Sequence, residues 1–348
     1  MSEPAQLIRD APAPFSGVLD PDLDDSAPDF IIRSGDGIDL HVHSGILHYA
    51  STFFRNMLDA WKAGTVSPGD SQRDGKPIVE LPELCAILHR LFYIAYPQTS
   101  LNYSLTEQTL DGVYEVHEAA QKYLFVHAQR ALENMLADPA LLDAHPHRIF
   151  AIARLRDLPD LARKAALSTL KSPVCPQGLL FPETEVLSAS TFQKLHEFHH
   201  SCGEAAEKLA SKNAKAVDYT NPDPEITLYQ HPDHGSGRHE FIWWTGSQDK
   251  GHSEECRPQV EIGYMGDWFD LTPTPWFQHH IAVLAPKLRC IPTRDTVDKN
   301  ACVLADVDRA MIKGCGECLE HAERHLVLFG EQLERRIEAS NNALGGFV

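Results

Sequence analysis

The feature that most constrains the fold is a hairpin-like pattern near the start of the chain. Residues 29–33 read DFIIR, the turn letters SGDG follow, and then Ile38, Leu40 and Val42 alternate with Asp39, His41 and His43. Strict alternation and β-branched residues on both sides of a glycine-containing turn are typical of two paired strands. We therefore predict an antiparallel hairpin over residues 29–43.

Two histidines fall within that alternation, and their spacing raises the question of a metal site. Because side chains alternate across a strand, His41 and His43 are expected on one face, roughly 7 Å apart, opposite Ile38, Leu40 and Val42. Two ligands are too few for a zinc site, and no Cys or Asp cluster stands nearby. The pattern favours one imidazole packed at a helix–sheet boundary and the other facing solvent.

After His43 the hydrophobic period lengthens to about 3.6 residues, which predicts two short helices. Ser51 lies between them as an N-cap. Residues 64–76 predict a loop, IVEL at 78–81 a third strand, and residues 84–95 a helix that ends before Pro97. The apolar positions of the two short helices are Ile46, Leu47, Ala50, Phe53, Phe54, Met57, Leu58 and Trp61.

The rest of the chain shows further changes of pattern. Ser104 and Glu107 have capping-box spacing and predict a helix start, and the pattern stays helical to about residue 213. From Ala216 the strand-like pieces EITLY, EFIWWT and VEIGYM indicate a mixed unit. The unit ends in predicted helix. A first apolar stripe consists of Val303, Val307 and Met311. A long terminal helix follows, with an apolar seam for packing against another helix at Leu319, Ala322, Leu326, Phe329, Leu333 and Ile337.

The predicted fold class is α+β, with a small sheet flanked by helices. The sequence divides into a flexible tail over 1–27, a folded domain over 28–125, a helical extension over 126–215 and a mixed C-terminal unit over 216–348 with the long terminal helix. Proline and an acidic run in the first segment leave it little to pack.

Charge and composition narrow the classes of partner. The net charge is −18, which makes the chain a poor binder of nucleic acid and of anionic membranes. No apolar stretch is long enough to cross a bilayer, and the first residues lack the features of a signal peptide. A cytoplasmic or nuclear location is expected, in which the eight cysteines are thiols or metal ligands.

Taken together, DFIIRSGDGIDLHVHSGILHYASTFFRNML, PIVELPE and LFYIAYP resemble the BTB/POZ domain, in particular the BTB proteins abundant in fungi. The resemblance covers residues 28–125 well and 126–213 more loosely. It implies a protein-interaction module that dimerises or docks partners. Such partners include cullin-type ubiquitin-ligase scaffolds, for which the chain would be an adaptor, and transcriptional corepressors.

The resemblance also points to candidate interaction residues. In the family, the Asp that opens the first strand often faces a basic residue after the second histidine; here Asp29 is present, but Ser44 occupies the basic position. Either Asp29 is exposed, or it pairs with Arg33, or the chain dimerises in a different way. The candidate interaction residues are Asp29, His41, His43, Phe53, Phe54, Met57 and Trp61, although the apolar members also fit a core.

The C-terminal unit holds the single metal candidate. Cys315 and Cys318 have the CxxC spacing that wraps one zinc, and helix from Cys318 would add His321 and His325. The resemblance to the fungal proteins implies a second CxxC after an aromatic strand of this unit; WWTGSQ contains none, and His252 and Cys256, a few residues later, could substitute for it. HAERH lacks the HExxH order of a metalloprotease. A structural zinc, reduced thiols without metal and a catalytic metal therefore all remain open.

Signatures of enzymes are missing from the sequence. It contains no GxSxG elbow, phosphate loop, strand-associated GxGxxG or kinase set. His199 and Cys202 invite a Cys–His nucleophile, but on a helix they are simply one turn apart. We expect a non-enzymatic interaction protein without a catalytic cofactor. The alternative is a metal-binding protein or metal-dependent enzyme that uses the C-terminal Cys/His set.

Overall fold

The computed structural model describes residues 9–17, 27–64, 71–97, 103–173, 181–215, 217–218, 241–245, 251–257 and 270–347. The chain divides into two compact units, Met1–Leu161 (unit 1) and Ala162–Val348 (unit 2). The boundary falls inside the predicted helical extension, whose helices are therefore shared between the units. Both sheets and helices are present, so the fold class is α+β.

Unit 1 contains a five-stranded sheet, in which the predicted hairpin is confirmed. Its strands are β1 (Arg9–Asp10), β2 (Phe30–Arg33), β3 (Ile38–Val42), β4 (Gln72–Arg73) and β5 (Lys76–Glu80), in the order β1-β3-β2-β5-β4. Strands β2 and β3 pair antiparallel with Ile32 opposite Leu40, whereas β5 runs parallel to β2 with Ile78 opposite Ile31. β1 lies parallel to β3 at one edge.

The N-terminal segment differs from the predicted flexible tail. Residues 9–17 lie against the sheet: β1 pairs with β3, Phe15 is 1% exposed, and its carbonyl accepts a hydrogen bond from the amide of His41. The Phe15 ring meets those of Phe92 and Tyr96 edge-on. Strand pairing and a buried aromatic residue thus anchor a segment whose composition suggested little packing. The rest of the expected tail, apart from residue 27, lies outside the described residues.

Helices alternate with these strands and follow them along the chain, and the last one crosses the unit boundary. They are α1 (Ser44–Ala50), α2 (Thr52–Lys62), α3 (Cys85–Ala95), α4 (Val113–Lys122), α5 (Val126–Leu136), α6 (Pro139–Ala144), α7 (Pro146–Leu155) and α8 (Pro159–Thr169). Ser51 caps α2 as predicted, because its Oγ accepts a hydrogen bond from the amide of Phe54 at 3.1 Å. The same hydroxyl donates to the carbonyl of Tyr123 at 2.6 Å and so ties α2 to the end of α4.

The predicted capping box is wrong in position and in kind. Thr106 and Thr109, rather than Ser104 and Glu107, form the box, and it caps only a 3-10 turn at Glu107–Thr109. The α-helix begins four residues later at Val113, since Gly112 with φ of 73° interrupts the backbone before it. The predicted loop 64–76 likewise includes β4 and the first residue of β5; residues 65–70 lie outside the described residues.

Unit 2 is mainly helical, with a small antiparallel sheet. Its elements are α9 (Glu183–Val186), α10 (Ala189–Lys212), β6 (Val217–Asp218), β7 (Trp244–Thr245), β8 (Asp270–Pro273), α11 (Pro275–Cys290), α12 (Arg294–Asn300), α13 (Asp306–Met311) and α14 (Gly316–Leu344), with 3-10 turns at Glu254–Cys256 and Gly345–Phe347. The sheet order is β6-β8-β7. Of the three strand-like pieces predicted here, EITLY and VEIGYM lie outside the described residues, and EFIWWT contributes only β7.

The core of unit 2 is aromatic and closely packed. Trp243 stacks on Phe277 with ring centroids 4.1 Å apart, and Phe329 of α14 meets both rings edge-on. The predicted seam of α14 is buried at Ala322, Leu326, Phe329, Leu333 and Ile337. Leu319 is the exception: it is 52% exposed because Cys318 and Ala322 occupy the buried side of that turn. Among the described residues, no helix combines the length and apolarity needed to cross a bilayer.

Candidate metal centre and interaction residues

Four side chains of unit 2 converge to form a buried cluster, which we call the Cys/His cluster: His252, Cys256, Cys315 and Cys318. The sulfurs of Cys256 and Cys318 are 3.4 Å apart, and Nδ1 of His252 lies 3.5 Å from the sulfur of Cys315 and 3.4 Å from that of Cys318. All four ligand atoms lie within 4.8 Å of one another, and each residue is at most 5% exposed.

Two short pieces of backbone position the cluster. His252 lies two residues before a 3-10 turn at Glu254–Cys256, and Cys256 is the last residue of that turn, so the turn brings both side chains into the cluster. Cys315 is the N-cap residue of α14, and Cys318 lies in its first turn. Because helical side chains lean toward the helix N-terminus, the Cys318 sulfur points back toward Cys315. The CxxC segment and the 3-10 turn therefore meet around one small volume.

Of the predicted ligands, the structure brings Cys315 and Cys318 together in the cluster and places His321 and His325 outside it. The two histidines lie roughly 4.5 and 10.5 Å further along the helix axis than Cys318, away from the end toward which its sulfur leans. Their rings stack on each other at 5.9 Å, and Nδ1 of His325 accepts a hydrogen bond from the amide of Ile242. His252 and Cys256, the alternative ligands, take their places.

The environment of the cluster favours a thiolate. A hydrogen bond from Cys318, aided by one with His252 and opposed by burial, lowers the pKa of Cys256 to about 5. The same bond and burial raise the pKa of Cys318. Burial works against ionisation of Cys315, but hydrogen bonds from the amides of Cys318 and Ser253 outweigh it and lower its pKa. Anionic sulfur at a helix N-terminus is further stabilised by the helix dipole.

The spacing of the four atoms fits a tetrahedral ion. With Zn–S bonds of about 2.3 Å and a Zn–N bond of about 2.0 Å, tetrahedral ligand atoms lie roughly 3.5–3.8 Å apart. The contacts of 3.4 and 3.5 Å in the Cys/His cluster are close to that spacing. Three sulfurs and one imidazole are a donor set that zinc prefers. The cluster could therefore hold a metal ion.

In unit 1, the two histidines of the hairpin occupy different environments. His41 is 7% exposed, and its Nε2 forms a hydrogen bond with Asp10 at 2.9 Å. Gly17 packs against its ring so closely that a Cβ there would lie 2.8 Å from the imidazole. His43 follows the end of β3 as the N-cap of α1, and its amide donates to the hydroxyl of Tyr96. Residues 9–17 thus cover the strand face on which a solvent-facing imidazole was expected.

That covered face contains a charged network that the sequence did not predict. Arg33 donates to both oxygens of Asp39 at 2.7 and 3.0 Å, and Arg73 bridges Asp39 and Asp10 at 2.9 and 2.6 Å. Asp39 is fully buried; burial opposes its ionisation, but the hydrogen bonds from the two guanidinium groups more than offset this and lower its pKa. Because Arg73 falls in the predicted loop 64–76, no sequence pattern linked it to the sheet.

The first candidate interaction residue, Asp29, pairs with Ser44. Asp29 is exposed, and its two oxygens accept hydrogen bonds from the amide and hydroxyl of Ser44 at 2.7 and 2.6 Å. Arg33 bonds Asp39 instead. Of the alternatives for Asp29, exposure with a local hydrogen-bond partner is the one observed. A buried unpaired carboxylate is avoided.

The apolar candidates of α2 separate into core and surface. Phe54 is fully buried, while Met57 and Trp61 are half-buried against the core of unit 1. Phe53 is 38% exposed. The helix therefore directs most of its apolar side chains inward and leaves Phe53 accessible at its first turn.

The candidate nucleophile pair on α10 does not have the geometry of an activated thiol. Nε2 of His199 forms a hydrogen bond with the carbonyl of Ser172 at 3.0 Å. Burial raises the pKa of Cys202 to about 12, so its thiol stays protonated at neutral pH. His199 and Cys202 instead pack in the core, one helical turn apart.

No protein-family model and no curated protein matches the sequence.

Proposed function

We propose that the chain is a non-enzymatic protein-interaction protein, with a BTB/POZ-like module in unit 1 and a structural zinc in unit 2. The order of elements in unit 1 supports the first part. The hairpin β2–β3 leads into the helical pair α1–α2, and then β5 pairs parallel with β2 and precedes α3. The resemblance of the sequence implies the same order, and partner docking is the activity that it implies.

The observation that carries the interaction function is a group of exposed apolar side chains in unit 1, which we call the corner patch. It consists of Tyr49, Phe53, Leu124 and Val126, which are 78, 38, 46 and 44% exposed. The Phe53 ring lies 5.3 Å from that of Tyr123, directly before Leu124, so the α1–α2 and α4–α5 corners are neighbours. Large apolar side chains gathered on a surface mark interaction sites more often than scattered ones do.

The proposed occupant of the corner patch is a second copy of the chain. Dimerisation is an interaction that the resemblance implies, and a two-fold dimer places the same patch on both sides of the interface. A cullin-type scaffold or a transcriptional corepressor is the alternative occupant. Each of these is a protein, and the net charge of −18 disfavours nucleic acid as a direct partner.

Sedimentation velocity of the full chain tests self-association. We expect a dimer for the wild type and a monomer for the double variant Tyr49→Ser, Phe53→Ser at the same concentration. The matched control is Val303→Ser in unit 2, which alters a residue with 53% exposure and should leave the dimer intact. A monomeric wild type would exclude self-association; the alternative then requires a partner that the wild type retains in a pull-down and the double variant does not.

Zinc is the proposed ligand of the Cys/His cluster. The four buried donors provide a complete tetrahedral shell, which leaves no position for a substrate or an activated water. Closed shells of this kind are typical of structural zinc, whereas catalytic zinc keeps one position open. The proposed role is therefore to stabilise unit 2.

Metal analysis of freshly purified protein tests this role. We expect about one zinc per chain in the wild type and almost none in Cys315→Ser. Cys302→Ser is the matched control, because it makes the same chemical change in the same unit outside the cluster. Cobalt substitution should give a thiolate-to-metal absorption band in the wild type and in the control. Wild-type protein that binds neither ion would refute the zinc site.

A further inference from the structure

The Cys/His cluster joins two segments that differ in how firmly they are otherwise held. In residues 251–257, the buried side chains are His252 and Cys256 alone, at 5 and 2% exposure. Gly251, Glu254, Glu255 and Arg257 are exposed, and Ser253 is half-buried. This segment therefore buries little besides its two potential ligands.

The other segment, the first turn of α14, belongs to a helix that is held in unit 2 by buried side chains outside the cluster. Beyond Cys318, α14 buries Ala322, Leu326, Phe329 and Leu333 at 0–1% exposure. Phe329 packs on Trp243 and Phe277, with ring centroids 5.6 and 5.4 Å away. Burial of these apolar side chains holds α14 in unit 2, so the helix does not depend on the cluster for its place.

The contacts that the cluster makes between the segment and α14 are weak without a metal. They include sulfur–sulfur and sulfur–imidazole contacts of 3.4–3.5 Å and a hydrogen bond from the amide of Ser253 to the sulfur of Cys315. Thiols are weak donors and weak acceptors of hydrogen bonds. Coordination to one ion would replace these contacts with four metal–ligand bonds that span the two segments.

We propose that the metal is a clamp: its occupancy controls whether residues 251–257 stay attached to the first turn of α14, while the rest of unit 2 remains folded. The clamp rests on the proposed zinc site. In the attached state the sulfurs of Cys256, Cys315 and Cys318 are shielded; in the released state they face solvent. Removal of the metal thus opens one segment and exposes three thiols together.

Limited proteolysis measures the attachment. Glu254 and Glu255 are exposed but held in a 3-10 turn, and a glutamyl endopeptidase cleaves after them only when the turn opens. With free zinc at about 100 times its dissociation constant, cleavage should be about 100-fold slower than after chelation. His252→Ala should be cleaved fast with or without zinc, and Cys302→Ser should behave like the wild type.

Alkylation followed by mass spectrometry shows whether the opening is local. Chelation should make Cys256, Cys315 and Cys318 reactive. Cys202, buried in α10, should stay protected throughout, and Cys290, which is exposed, should react throughout. These two cysteines are internal controls within the same unit.

The outcomes separate the clamp from the zinc site. If zinc binds but cleavage after Glu254 and Glu255 does not respond to chelation, the clamp is refuted and the site stands. If chelation makes Cys202 reactive along with the cluster, unit 2 unfolds as a whole, and the local clamp is again wrong. Protein that binds no metal overturns both proposals.

Discussion

Each unit buries a polar cluster, and the two clusters are satisfied in different ways. In unit 1, Asp39 is fully buried, and the chain itself supplies the compensating charge through Arg33 and Arg73. In unit 2, the Cys/His cluster brings three thiols and an imidazole together, and the donor set suits an added cation. Unit 1 is thus complete on its own, whereas the proposed function makes unit 2 dependent on a ligand.

The difference matters because buried charge is tolerated only when it is paired. The carboxylate of Asp39 has a fixed partner that is present whenever the chain is folded. The donors of the Cys/His cluster must instead be deprotonated to bind an ion, so their state depends on the supply of metal. We expect unit 2 to respond to its surroundings where unit 1 does not.

The largest expected effect is on unit 1. Asp39→Asn removes the charge that Arg33 and Arg73 share, and should lower the free energy of unfolding of unit 1 by about 3–5 kcal/mol. Hydrogen exchange of the β3 amides in urea measures it. The control Asp74→Asn, whose side chain is 78% exposed and 3.8 Å from Arg73, should change little. Equal effects of the two variants would mean that burial of the network contributes nothing.

Removal of the metal should affect only the other unit. At free zinc of about 100 times the dissociation constant, chelation should lower the free energy of unfolding of unit 2 by about 2.7 kcal/mol. Exchange of the slowest amides in α14 measures this loss, and the β3 amides of unit 1 are the internal control. A comparable loss in both units would contradict the contrast between them.

A backbone contact in unit 2 gives a smaller effect that does not depend on metal. A Cβ at Gly203 of α10 would lie 2.1 Å from the carbonyl oxygen of Arg289 in α11. Gly203→Ala should therefore push the two helices apart and cost about 1–3 kcal/mol. Gly45→Ala in α1, where a Cβ would meet nothing within 4 Å, should be neutral or stabilise by up to about 1 kcal/mol. Urea unfolding curves compare the two variants.

The smallest effect concerns pH, and it should appear in unit 1 without any metal. Burial lowers the pKa of His117 below its ordinary 6.5, with Arg156 adding to the decrease and Glu133 opposing it. The unfolded chain then binds the proton more readily, so this stability is present above pH 6.5 and is lost as the pH falls toward the folded pKa. His117→Gln should flatten the pH dependence of the free energy of unfolding of unit 1, obtained from exchange of the β3 amides, between about pH 7.5 and about pH 5.5. An unchanged pH dependence in this variant would contradict the role of His117.

Features that depend on near neighbours in the chain were predictable. The hairpin β2–β3, the N-cap Ser51 and most of the α14 seam follow from alternation, residue type and the helical repeat. The capping box failed because several Ser, Thr and Glu residues stand close together there, and only the φ of 73° at Gly112 decides where the helix begins. Likewise, the alternation of residues in β3 could not show that residues 9–17 cover one face of the strand.

The candidate site shows the same division. The CxxC spacing by itself determined that the side chains of Cys315 and Cys318 lie close together, because two cysteines three residues apart at the start of one helix are neighbours. Only the tertiary structure decided that Cys256, 62 residues from Cys318, completes the cluster while His321 and His325 do not. Likewise, Arg73 reaches Asp10 across 63 residues. Periodicity tells which side of a segment is polar or apolar, but the segment that packs against that side is selected by the folding of the whole unit.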